Sequence, residues 1–440
     1  MKVRTRLYIF VTILLVLLLS VDLLHAGWPE IDKLVASDGA AEDRFGHSVS
    51  LSGDYAIIGA LEDDDNGDWS GSAYIFKRDG EVWSEQAKLT ASDGGVSDQF
   101  GGSVSISGDY AIIGAHRDDD NGDSSGSAYI FKRDGTIWSE QDKLLASDGA
   151  DLDYFGGSVS ISGDYAIVGA IFDDDKGDFS GSAYIFAPNE VEPNNWDQVA
   201  KLTAPDGAAY DYFGCSVSVN GDYALIGAWG DNDNGTASGS AYIFKREGTA
   251  WSEQDKLTAS DGEAGDHFGR SVSISGDYAI VGAEGDDDNG NLSGSAYIFK
   301  REAEVWSEQA KLTASDGAES DRFGLRVSTN GDYAIVGVSD DDDNGDGSGS
   351  AYMFKREGEV WSEQAKLTAS DGAEGDRFGN RVSISGNYAI VGAYLDDDNG
   401  SESGSAYMFV RCPDSDLTGD CFVDFRDFSV IGNEWWQSHK

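Results

Sequence analysis

A passage that first appears as Phe45 to Ala60 recurs seven times along this chain. Its opening Phe-Gly pair stands at Phe45, Phe100, Phe155, Phe213, Phe268, Phe323 and Phe378, in steps of 55 residues with a single step of 58. Self-similarity at such a period marks a repeat architecture. Each copy is one supersecondary unit that buries its apolar face only against its neighbours.

Each copy reads as four short strands. Residues 48–52 alternate polar and apolar with period two. Gly53-Asp54 is a two-residue hairpin signal. Tyr55–Ala60 is almost wholly apolar, as a strand covered on both faces should be. After an acidic loop, 62–68, a third strand spans 71–77. Asp79-Gly80 marks a second hairpin, and the fourth strand, 83–89, is charged enough for an outer edge. Seven sets of four antiparallel strands predict an all-β fold, a seven-bladed β-propeller. The chain opens on a fourth-strand motif at 28–34 and closes on a third-strand motif at 404–409. The N-terminal strand is therefore expected to complete the last blade. A solenoid would instead need polar capping repeats.

Residues 1–26 read as a secretory signal peptide, with Lys2, Arg4 and Arg6 ahead of an apolar run from Leu7 to Leu19. The predicted organisation is a signal peptide at 1–26, the propeller at 27–410 and a short loop-helix tail at 411–440. Without a further long apolar run, the mature chain is expected to lack a membrane span and to be secreted, extracellular or at the cell surface. The net charge of −49 disfavours nucleic acid and anionic membranes as partners.

The sequence Ser-Gly-Asp-Tyr-Ala-Ile-Val-Gly-Ala, followed by Asp-Asp-Asp-Asn-Gly, Ser-Gly-Ser-Ala-Tyr-Ile-Phe and Trp-Ser-Glu-Gln-Ala-Lys-Leu, resembles the bacterial secreted branch of the FG-GAP repeats. These are the units of the integrin α-subunit propeller. The resemblance implies an extracellular binding or adhesion role. In integrin α-subunits the calcium loop lies between the Phe-Gly strand and the Gly-Ala strand, where this chain has only a tight turn, so those sites do not carry over.

The acidic loops join equivalent strands and should ring one face. Asp63, Asp64 and Asp65, Asp118, Asp119 and Asp120, and Asp341, Asp342 and Asp343 are candidate weak calcium ligands. The other reading is a set of Asp/Asn/Gly turns that start with side-chain-to-backbone hydrogen bonds and keep the surface soluble. Beside these loops Trp69, Phe179 and Trp229 are candidates for a ligand-binding rim that stacks on sugars or docks a protein. Folding back over their own loops is the other reading.

The tail resembles one calcium-binding half of a dockerin. The resemblance implies ligands at Asp416, Thr418, Asp420, Asp424 and Asp427, with the Phe422 carbonyl. Cys421 stands where a glycine would turn the chain most easily. Cys412 and Cys421 are candidates for a disulfide across this loop, and Cys215 for a free thiol. No nucleophile motif, zinc spacing or phosphate loop is present. The expected function is a non-catalytic binding or adhesion module for an extracellular protein or polysaccharide, monomeric, with a calcium-stabilised attachment element. The alternatives are a polysaccharide-active lyase or hydrolase and a structural, salt-adapted surface protein.

Overall fold

The computed structural model of the chain describes residues 27–192 and 194–413. It shows a seven-bladed β-propeller: seven four-stranded antiparallel sheets, six of them running in chain order from an inner to an outer strand. In the first blade the strands are Phe45–Ser52, Tyr55–Ala60, Ser72–Asp79 and Val82–Leu89. Ser52 pairs with Tyr55, so the first hairpin turns on Gly53-Asp54 as expected, with Gly53 at φ +58°. Glycine adopts that left-handed conformation without a Cβ clash. The second hairpin sits one residue later than expected. Asp79 pairs with Val82, which places Gly80, at φ +66°, first in the turn.

Strand ends depart from the sequence expectation by one or two residues in the third and fourth strands, Ser72–Asp79 and Val82–Leu89, and further in the inner and N-terminal strands. The inner strand starts at Phe45 rather than at residue 48, carried past Gly46 by an irregularity between Phe45 and Ser48. In the last four blades it shortens to Val217–Asn220, Val272–Ser275, Arg326–Thr329 and Arg381–Ser385. The N-terminal strand is Glu30–Leu34, two residues shorter than its motif. It pairs with Ser405–Val410, which pairs with Tyr388–Ala393 and then with Arg381–Ser385. The last blade is thus completed by the first strand, and the ring has no open sheet edge between its ends.

The core lies between neighbouring blades. Ile57 and Ile58 are adjacent and both fully buried, but they point to opposite faces. Ile58 packs with Phe45, Ile390 and Met408, and Ile57 packs with Phe100, Val104 and Ile113 of the second blade. This double burial explains the unbroken apolar run of the second strand. Blades approach most closely at its glycine. A Cβ on Gly59 would lie 2.0 Å from the Gly101 carbonyl oxygen of the next blade. The glycine after Phe45 is equally constrained: at φ +90°, a Cβ on Gly46 would meet the Ser405 carbonyl oxygen at 2.3 Å. Gly59→Ala is expected to destabilise the fold by about 3 kcal/mol, because backbone rather than a side chain must move. Denaturant titration checks this, and an unchanged midpoint would show that the blades can separate.

The described terminal residues, 27–29 and 409–413, belong to a compact unit distinct from Glu30–Met408. Within it Val410 N–H donates to the Pro29 carbonyl at 3.2 Å and Cys412 N–H to the Gly27 carbonyl at 3.1 Å. No helix among the described residues is long and apolar enough to cross a membrane.

Candidate functional site

The loop after the second strand and the loop before the inner strand emerge at the same end of each blade, because the strands are antiparallel. The acidic loops therefore gather on one face. In the first, Asp63 is buried at 3% exposure, although it carries a carboxylate. Its Oδ1 accepts from the Asp65 N–H at 3.1 Å and the Ser72 hydroxyl at 2.9 Å. Its Oδ2 accepts from Lys88 Nζ at 2.8 Å and lies 2.8 Å from the Tyr74 hydroxyl. Lys88 also donates to Asp38 at 2.9 Å and Asp65 at 2.6 Å. The middle aspartate instead closes its own loop, since Asp64 Oδ1 accepts the Trp69 N–H at 2.7 Å.

The pattern repeats in every blade. Lys33, Lys143, Lys201, Lys256, Lys311 and Lys366 each bridge one buried and two exposed aspartates. Burial by itself disfavours the Lys88 charge, but its hydrogen bonds to Asp38, Asp63 and Asp65 outweigh that and hold its pKa above the ordinary value. Two of the clusters, Asp206 with Asp231 and Asp233, and Asp261 with Asp286 and Asp288, bring carboxylate oxygens within 4.8 Å of one another, close enough to hold a metal ion. Yet Lys256 Nζ is already 2.7, 3.0 and 2.6 Å from the first set. A calcium ion needs six to eight oxygens and would have to displace that ammonium. The donor set fits the lysine better than the metal.

The candidate rim residues fare differently from one another. Trp69 is 45% exposed and has no ring contact among the described residues. Phe179, at 36% exposure, joins a continuous aromatic array. The array runs from His116 to Tyr154 at 5.4 Å between centroids, to Phe172 at 4.9 Å and to Phe179 at 5.1 Å. Phe179 then meets Tyr210 at 5.7 Å and Tyr212 at 6.4 Å. Tyr212 stacks on Trp229 at 4.5 Å and 7°, and Trp229 meets His267 edge-on at 5.0 Å. Trp229 is half-buried, with the Arg270 guanidinium 5.3 Å from its ring centroid, so it braces the array from within.

Inside the ring of blades lies a channel of about 320 Å³ lined by the inner strands of all seven. Arg270, Arg326 and Arg381 open into it from the fifth, sixth and seventh blades, and no carboxylate lines it. Burial, then the Arg270 charge, pushes the Arg326 pKa down to about 10. Burial, then Arg326 and Arg270, lowers that of Arg381. His47, near the same mouth, is held well below its usual pKa by burial first and by Arg381 and Arg326 next.

Several expected site residues lie outside the description. Asp416, Thr418, Asp420, Phe422, Asp424, Asp427 and Cys421 all fall beyond residue 413, and the signal peptide falls before residue 27. Cys412 is disulfide-bonded and Cys215 is free. The lysine bridges and the channel arginines escape a reading of the sequence loop by loop. Aligning the seven copies by column finds both. A lysine precedes the leucine of every fourth strand, and arginine replaces serine at residues 326 and 381.

Comparison with known proteins follows the same outline. The family described as FG-GAP repeat matches seven times, at residues 28–76, 83–131, 138–186, 196–244, 251–299, 306–354 and 361–409. Among solved structures the chain is similar to Sqt1 of Saccharomyces cerevisiae, at 10% identity and TM-score 0.47 over 87% of this chain and 99% of that one. It is also similar to a chain of a mitotic checkpoint complex, at 12% identity and TM-score 0.51 over 87% and 94%. At such identity the second likeness shows the fold alone, and the first carries no argument. No curated protein matches.

Proposed function

Because the chain belongs to the FG-GAP repeat family, we propose that it is a secreted, non-catalytic binding module that holds an extended polysaccharide across its aromatic array. The observation that supports this is the continuity of the rings from His116 to His267, a run without a counterpart among the described residues of the other blades. Flat aromatic faces stack on the apolar faces of sugar rings. Phe179 and Tyr210, at 36% and 51% exposure, offer their rings to a ligand, while Tyr212 and Trp229 hold them in place. Export rests on the residue pattern of Met1 to Ala26.

Binding to a panel of soluble polysaccharides is expected, with no release of reducing ends. Phe179→Ser together with Tyr210→Ser is expected to weaken it at least tenfold with little change in stability, since both side chains are partly exposed. Equal binding by the variant would remove the array from the reading. Release of reducing ends would favour the enzyme alternative.

Calcium in this reading belongs to the tail loop at Asp416 to Asp427, and the lysines balance the propeller loops. Calorimetric titration is expected to find one calcium site in the full chain and none in a chain ending at Val410. Sites that survive the truncation would place calcium in the propeller after all.

A further inference from the structure

The structure assigns the central channel as an anion-binding site, in which Arg270, Arg326 and Arg381 take a carboxylate, sulfate or phosphate group. This stands on the channel alone and does not depend on the aromatic rim.

The chain carries 80 acidic and 31 basic side chains, so a random sample of its surface is negative. The channel lining reverses this, with three arginines and no carboxylate. Many of the other described cations are matched, although Lys77, Arg117, Lys132 and Lys176 are in no ion pair among the described residues. Seven lysines have three aspartates each, and Arg78, Arg133, Arg246, Arg301 and Arg356 each pair with an aspartate. Arg326 and Arg381 have no carboxylate partner among the described residues. One nitrogen of each donates to its own neighbouring carbonyl, Leu325 at 2.7 Å and Asn380 at 2.9 Å, and the other N–H groups of the fork remain for the channel. Glu284 offers the cluster a single negative charge, 3.7 Å from Arg270 Nε. Guanidinium groups suit oxyanions because their planar donors match two oxygens at once. A channel with low-dielectric walls also focuses their field.

The arginines replace a structural residue. In the first three blades the same column holds Ser48, Ser103 and Ser158, whose hydroxyls donate to the Gly101, Gly156 and Gly214 carbonyls of the next blade at 2.7 Å. The sixth and seventh blades forgo this inter-blade bond and place two like charges together. An anion between them relieves that repulsion. Like charges held together without one would only cost stability.

The test uses the mature chain and the double variant Arg326→Ser with Arg381→Ser. Serine already occupies this column in five blades, so the variant should fold. Binding is measured by calorimetry with inorganic sulfate, inorganic phosphate and a short uronic-acid oligosaccharide, and thermal midpoints are recorded for each. The mature chain should bind at least one probe, and the variant should bind it at least tenfold more weakly while its own midpoint in the absence of anion does not fall. Binding of inorganic ions assigns a free-oxyanion site. Binding of the oligosaccharide alone assigns the site to the acidic group of a larger ligand. Failure of all three probes, or equal binding by the variant, overturns the proposal. Loss of polysaccharide binding in the rim variant with anion binding intact would show the two sites to be separate.

Discussion

A chain that begins at Ala36, without the strand Glu30–Leu34, is expected to lose the cooperative unfolding of the whole propeller. Two losses fall on the last blade. Leu34, 2% exposed, leaves the core that it shares with Phe45 and Met408, at about 2 kcal/mol. Lys33 leaves Asp371, Asp396 and Asp398. Asp396 is then a buried carboxylate without its cation, which costs about 3–5 kcal/mol. The sum approaches the roughly 5–15 kcal/mol that holds a typical domain together. The new outer edge of the last blade is a row of unpaired backbone groups, so the truncated chain should also aggregate. Circular dichroism melts and size-exclusion chromatography check both effects. A sharp transition at the full chain's midpoint would show that the ring does not need its closing strand. Adding the strand back as a separate peptide should restore the transition.

Replacing one bridging lysine is the second large effect. Lys88→Met keeps the aliphatic stem but strands Asp63, whose side chain is 5% exposed, among Ser72 and Tyr74. The expected loss is about 3–5 kcal/mol, that of a buried pair broken on one side. The double variant Lys88→Met with Asp63→Asn removes the charge as well as its partner. It should be more stable than Lys88→Met alone, which is the signature of direct coupling. A loss under about 1 kcal/mol for Lys88→Met would put the bridge in the class of exposed ion pairs instead. The two exposed aspartates of each cluster, Asp38 and Asp65 here, should matter far less singly, since water screens them.

The elements legible in the sequence are those built from neighbouring residues. Tyr55–Ala60 is legible to the residue because a strand covered on both faces must be apolar throughout. Gly53-Asp54 is legible because a left-handed turn position calls for glycine. The second hairpin falls one residue from its expected place, since Asp79-Gly80 and Gly80-Glu81 both contain the glycine and only pairing chooses between them. The inner strand begins earlier than its alternation suggests because Gly46 looks like a break, whereas it lets the backbone of the last blade, at Ser405, approach.

The candidate site is legible only in part. Lys88 lies 25 residues from Asp63 and 50 from Asp38, so no local spacing links them. Taken alone, Asp63-Asp64-Asp65 resembles a cation loop, because its own cation arrives from another strand. Arg326 and Arg381 are one column apart from Arg270 in the repeat, and only the curvature of the inner strands brings all three to one channel. Phe179 and Trp229 stand out in the sequence as separate rim residues, and Tyr212 connects them from a different loop.

The seven blades, their four strands and the closure of the last blade by the N-terminal strand are readable in the sequence. Those follow from a period, an alternation of apolar residues and two glycine turns, all short-range properties of the chain. Which charges meet is set by the folded ring. Coulombic pairing and burial depend on distance in space, so whether an aspartate binds a lysine, or an arginine is left to bind an anion, is settled when the ring closes.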